Sequence, residues 1–195
     1  MSKLYYRYGA MNSGKTTLLL QVAHNYEERG MKVLILKPLI DTKGDKKIVT
    51  RIGLEREVDH LISPDENLRE YLKQIPEDIS CVLVDESQFL TKEQVDDLYV
   101  FTKFKDTSVI CYGLRSDFKS NAFPGSLRLF EVADVMEELY TICRCGKRAK
   151  FNGRIVNGKF TSSGEQVAID GEDEVAYESL CGKCYLKKVL KIKGM

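Results

Sequence analysis

The chain has 195 residues, 43% of them hydrophobic and 30% charged, the make-up of a globular domain with room for a small appendage, which excludes a disordered or fibrous chain. Its 30 basic residues nearly balance 29 acidic ones, leaving a net charge of +1, so no overall basic field draws it to nucleic acid or anionic lipid. No apolar run reaches the roughly 18 residues of a membrane span, and Met1–Lys3 leads into no signal-type hydrophobic stretch. The expectation is a cytoplasmic protein with no membrane or nucleic-acid partner. In that setting its six cysteines read as metal ligands or small buried hydrophobes rather than disulfides.

The first predicted element is a strand, the apolar, Tyr-rich run Leu4–Tyr8. It leads into Gly9-Ala10-Met11-Asn12-Ser13-Gly14-Lys15-Thr16, a full match to G-x-x-x-x-G-K-[ST], and then into a predicted helix from Thr17 to Arg29 that stops at Gly30. Strand, loop and helix in this order are the setting a phosphate-binding loop needs. Its glycines let the backbone wrap an anion, so that successive N–H groups and the helix N-terminus face the α- and β-phosphates. Lys15 is placed to reach the β- and γ-phosphates, and the Thr16 hydroxyl to ligate Mg²⁺. The loop predicts binding of a nucleoside triphosphate.

Further along, Val33–Leu36, Cys81–Val84 and Val109–Tyr112 read as buried strands, and Asn67–Gln74 and Lys92–Phe104 as helices, the latter capped by Thr91 with Gln94 three residues on. The polar stretch Ile40–Lys47 reads as a surface loop near the site, or as an idle connection. Strand–helix alternation predicts an α/β fold: a parallel sheet with helices on both faces and the phosphate loop at the strands' carboxyl ends. Cys81–Val84 runs into Asp85-Glu86 about 70 residues after the loop. In a phosphate-loop protein Asp85 is then the carboxylate that helps hold Mg²⁺. Glu86 has two readings: it polarises water in an ATPase or helicase, or accepts a proton from a substrate hydroxyl in a kinase. The Asp-Glu pair alone does not separate them.

Around Tyr140 the character changes to close cysteine pairs, frequent glycine and a polar middle, which places a module boundary between 1–140 and 141–195. Cys143-Arg144-Cys145 and Cys181-Gly182-Lys183-Cys184, with 35 residues between them, read as a tetrahedral structural Zn²⁺ site tying the base of the loop Gly146–Leu180. Cys81 and Cys111 sit inside apolar strands and read as core. The basic stretch Lys187–Lys193 reads as a solvated tail.

With these residues placed, the chain resembles the type II (cellular-type) thymidine kinase family over nearly its whole length. The phosphate loop, Asp85-Glu86-Ser87-Gln88-Phe89, Thr50-Arg51-Ile52-Gly53-Leu54, Tyr112-Gly113-Leu114-Arg115-Ser116-Asp117-Phe118 and the paired cysteines carry the likeness. The resemblance implies a phosphate-loop kinase sheet with a small zinc-binding module carrying a lasso loop. It implies ATP and Mg²⁺ as cofactors, thymidine (with deoxyuridine) phosphorylated at the 5′-hydroxyl for nucleotide salvage, dTTP as feedback inhibitor and a homotetramer. Position by position, Glu86 matches the catalytic base and Asp85 the Mg²⁺-associated carboxylate. The nucleotide site is implied for Gly9 through Thr17 and for Asp85, Glu86, Ser87 and Gln88. Met11, Gln88, Phe89, Leu114 and Phe118 match residues around the base and sugar, and Asp41 one near substrate and phosphates. Val167, Ile169, Gly171 and Tyr177 match the lasso over the nucleoside, and Arg154 a basic residue of the same module. The sequence departs from the family pattern in its shorter Cys-x-Cys pair, in Lys43 where arginine often stands, and in a lasso tip one residue longer.

Two other readings are an ATP-driven motor or repair protein with a zinc module for nucleic acid, and a non-catalytic zinc scaffold. Near-neutral charge and the absence of Trp count against the first. The second leaves the phosphate loop and Asp85-Glu86 without a task.

Overall fold

A computed structural model describes residues 2–40, 46–166 and 174–192 of the chain. In chain order its first part contains β1 (Leu4–Gly9), α1 (Lys15–Glu27), β2 (Lys32–Pro38), the short strands β3 (Lys47–Val49) and β4 (Glu55–Glu57), β5 (His60–Ile62), α2 (Leu68–Gln74), β6 (Ile79–Val84), α3 (Lys92–Phe104), β7 (Ser108–Leu114), α4 (Pro124–Val132) and β8 (Val135–Leu139). Six of these strands form one sheet in the order β5-β2-β6-β7-β1-β8, and every pairing in it is parallel.

Alternation along the strands builds two cores. In β2 and β6, Leu34, Leu36, Val82 and Val84 face Leu68, Leu72, Val95, Leu98 and Leu129 of α2, α3 and α4. Val33, Ile35, Cys81 and Leu83 point the other way, onto Leu19 and Ala23 of α1. Burial on both faces is why these strands read as continuous apolar runs. The expected strands and helices are all present, with ends shifted by a few residues. Asn67 caps α2 by accepting from the Glu70 N–H at 3.4 Å instead of joining it. Thr91 and Gln94 exchange both bonds of the capping box at the start of α3. Cys81 and Cys111 are fully buried, and burial pushes the Cys81 thiol up to about 11 and the Cys111 thiol up further.

The second part comprises β9 (Thr141–Ile142), β10 (Arg148–Ala149), β11 (Phe151–Val156), β12 (Lys159–Thr161), β13 (Val175–Leu180) and α5 (Gly182–Lys188). β12, β11 and β13 form an antiparallel sheet with β11 in the middle. Cys143, Ala149, Leu180, Cys181, Tyr185 and Val189 form its small core. The basic closing stretch is not a free tail at its start: Lys187 and Lys188 finish α5, and Val189 is buried because it completes that core. Among the described residues no helix is long and apolar enough to cross a membrane.

Candidate active site

Gly9 ends β1 where nothing larger fits, since a Cβ there would lie 2.5 Å from Ser13 Oγ and 2.7 Å from the Leu139 carbonyl. The chain then curls through Asn12 (φ 63) and Gly14 (φ 75), both left-handed, before α1 begins at Lys15. The loop therefore wraps back upon itself, and Lys15 Nζ donates to the Ala10 carbonyl at 2.9 Å and to Ser13 Oγ at 3.3 Å. Burial lowers the lysine's pKa, Glu86 and Asp85 oppose that shift, and Arg51 reinforces it.

Asp85 follows the last residue of β6 and is 4% exposed. Its backbone N–H donates to the Leu36 carbonyl at 2.9 Å and its Oδ2 accepts from Thr16 Oγ1 at 3.3 Å. Burial, then the negative charge of Glu86, push the Asp85 carboxyl up to about 7, against the pull of the Glu86 N–H, Lys15 and Thr16. Glu86 itself takes a left-handed backbone, φ 49, at the entry to a 3-10 turn over Ser87–Phe89. Its carboxylate accepts from Gln88 Nε2. The other end of the same buried amide, Gln88 Oε1, accepts from the Leu114 N–H at 3.0 Å. The Leu114 carbonyl in turn accepts from Tyr6 Oη at 2.8 Å and Ser126 Oγ at 2.7 Å.

Two clefts open at this edge of the sheet. One, of about 350 Å³, is walled by Gln88, Phe89, Leu114, Phe118, Phe123 and Tyr177, among others. The other, of about 390 Å³, lies over Asn12, Gly14, Lys15, Thr16 and Thr17 and is roofed by Val49–Ile52. Met11, Glu86 and Leu114 belong to both. Those residues form the partition between an aromatic cavity and a phosphate loop.

The four paired cysteines come together, with their sulfurs all within 4.8 Å of one another. Desolvation raises the Cys143 thiol, but the backbone N–H groups of Cys145 and Cys181 and the thiols of Cys145 and Cys184 together bring it down to about 7. A tetrahedron of sulfurs about 2.3 Å from a zinc ion has edges of roughly 3.8 Å, so this cluster can hold such a metal. Tyr185, in the same small core, donates its hydroxyl to the Phe118 carbonyl at 2.7 Å and ties the cluster to the aromatic cavity.

Most of the residues singled out in the sequence thus meet at one place. Ala10 and Ser13 lie beneath the loop as oxygen partners of Lys15. Arg154 stands behind the cavity wall, its guanidinium 4.5 Å from the Phe118 ring and 5.8 Å from that of Tyr177. Ser87 stands apart, because it is fully buried with its hydroxyl on the Tyr112 carbonyl at 2.9 Å. Asp41, Val167, Ile169 and Gly171 lie outside the described residues. Sequence reasoning gave no part to Asn152, Phe123, Gln166 or Asp117, all of which line the cavity. Asp117 lay inside a quoted motif; it organises its loop by accepting from the N–H groups of Lys119 and Asn121, both at 2.8 Å, and from Gln166 Nε2 at 3.0 Å. Arg51 also lay in a quoted motif, and it lines the phosphate cleft. Asn152 had no signal at all.

The thymidine kinase sequence profile matches residues 2–185. The chain is 46% identical over 187 residues to a thymidine kinase of Shewanella oneidensis, covering 94% of this chain and 96% of that protein. It is 43% identical to one from Streptococcus agalactiae serotype Ia, with 95% and 97% covered, and 42% identical to one from Chromobacterium violaceum, with 95% and 98% covered. The chain belongs to the thymidine kinase family. It is a kinase, and the thymidine kinase match takes in both the phosphate loop and all four clustered cysteines.

Proposed function

We propose that the chain transfers the γ-phosphoryl group of ATP, bound with Mg²⁺, to the 5′-hydroxyl of thymidine, and of deoxyuridine, giving dTMP for nucleotide salvage. One observation carries the reading: the aromatic cavity and the phosphate cleft share Glu86 as a common wall. A carboxylate there faces acceptor and donor together. Glu86 takes the 5′-hydroxyl proton as the oxygen–phosphorus bond forms and the bond to the β-phosphate oxygen breaks, releasing ADP. Lys15 steadies the charge that moves onto the β-phosphate. Thr16 and the buried Asp85 would hold Mg²⁺ with the nucleotide, and a carboxyl raised by burial fits that task, since a cation beside it relieves the cost of its charge. Bound there, the ion neutralises phosphate charge.

Phe89, Phe118 and Tyr177 offer flat apolar faces to the base, and Gln88 lies at the same wall. The cysteine cluster would take Zn²⁺ as a structural ion, anchoring a module, 141–195, distinct from the kinase part, 1–140. Asp41, Val167, Ile169 and Gly171 complete the nucleoside site in this reading. A cytoplasmic homotetramer inhibited by dTTP accords with the family. The motor and scaffold readings lose their ground to that membership.

ADP release measured with and without nucleoside tests the proposal. Thymidine-dependent ADP formation is expected. ATP hydrolysis at the same rate with no nucleoside present would overturn it.

A further inference from the structure

One residue of the phosphate loop is held from outside the sheet that carries it. The Met11 N–H donates to Asn152 Oδ1 at 2.8 Å, and the Met11 carbonyl accepts from Ser179 Oγ. Both partners are buried, at 3% and 5% exposure. They face each other as one rung of the C-terminal sheet, Asn152 on β11 opposite Ser179 on β13. Asn152 is fixed in turn, since its Nδ2 donates to the Ser116 carbonyl at 2.9 Å.

Residues two apart on a strand point the same way. Arg154 and Tyr177 are therefore the next pair along the same face, and they too are opposite each other. That second rung stands at the aromatic cavity, where Arg154 backs Phe118 and Tyr177 lines the wall. One sheet face thus touches the nucleoside side with one rung and the phosphate loop with the next. Met11 is the residue between, because its own walls belong to both clefts.

We infer that Asn152 and Ser179 are positioning residues which fix Met11, and through it the shape of the phosphate loop, so that donor binding depends on the C-terminal sheet. The inference rests on the reading of the loop's cleft as the nucleotide site. A loop that must present successive N–H groups to an anion is sensitive to one misplaced peptide. The Met11 N–H and carbonyl belong to two successive peptide groups, and each has a buried side-chain partner, so removing either partner frees one of those groups to turn.

Ser179 lines neither cleft, which makes it the cleaner test. Equilibrium binding of ATP–Mg²⁺ to Ser179→Ala, with no nucleoside present, should be weaker by about three- to tenfold, the range of one lost hydrogen bond. The KM for ATP should rise with it, while the KM for thymidine stays within about twofold. A merely structural serine would lower the melting temperature and leave the ATP affinity of the folded molecules unchanged. An ATP affinity within twofold of the parent would overturn the inference. If the variant does not fold, residue-resolved amide exchange on the parent protein decides. The Met11 N–H should be strongly protected, and exchange at the rate of an unprotected loop amide would overturn the clamp. Because the binding assay contains no nucleoside, it stands apart from the proposed reaction: a parent that binds ATP but leaves thymidine untouched sinks the reaction alone.

Discussion

The parallel sheet and the cysteine-bearing module hold themselves together by different means. The sheet is buried on both faces, with two clusters of fully enclosed Leu, Val, Ile, Tyr and Cys side chains under four helices. Among the described residues the module has one cluster of six buried residues, two of which are themselves cysteines of the metal-binding group. A core of that size is marginal on its own and calls for a cross-link or a metal. The proposed chemistry divides along the same line. The charged groups, Lys15, Asp85 and Glu86, sit at strand ends and a helix start of the rigid sheet, where position is well defined. The module supplies a wall, a clamp and a link to Phe118 through Tyr185.

The sharpest test of that division is Glu86→Gln. The amide keeps size and shape but accepts no proton, so kcat should fall by about 10²–10⁴-fold while ATP and thymidine binding and the melting temperature stay near parent values. Single-turnover measurements check that chemistry is being read, and retention of more than about a third of the parent rate would remove Glu86 from the role of base.

Next in size is the loss of the metal. Protein prepared without chelator should carry about one zinc per chain. Cys181→Ser, or chelation, should melt the module while the sheet's own thermal transition survives. Hydrogen exchange should then rise across β11 and β13 but not across β6 and β7. Uniform loss of protection would show that the two parts form a single cooperative unit.

The smallest expected effect is a matter of pH. Asp85, at about 7 in the folded chain against 3.8 ordinarily, binds its proton more tightly folded than unfolded. Its contribution to stability is therefore fully present below about pH 4 and is lost as pH rises to about 7. Nucleotide- and metal-free Asp85→Asn should escape that loss and gain a few degrees in melting temperature over the parent near pH 8, with little gain near pH 4. Equal differences at both values would mean that the carboxyl ionises normally.

The sheet was legible in the sequence because its strands are buried on both faces and read as unbroken apolar runs, and because the loop and Asp85-Glu86 mark the ends of two of them. The cysteine cluster was legible from spacing. β11 and β13 were not. Val175-Ala176-Tyr177-Glu178-Ser179-Leu180 is half polar, since Tyr177 lines the aromatic cavity and Ser179 bonds the phosphate loop instead of facing a hydrocarbon core. The clamp left no trace for the same reason: an isolated Asn or Ser is a common surface residue, and only the register of Asn152 with Ser179 makes them a pair. The strands β3, β4 and β5 are only three residues long, and β8 is interrupted by Glu137-Glu138, so none of them announces itself as an apolar run.

Glu86 stands in a backbone conformation, φ 49, that costs a residue with a side chain about 1 kcal/mol or more relative to glycine. Selection for folding alone would favour glycine or asparagine at that position. Glu86→Gly should accordingly raise the melting temperature while lowering activity, which thermal melts and turnover measured together would check. In the proposed reaction, service as the base outweighs that backbone cost at residue 86.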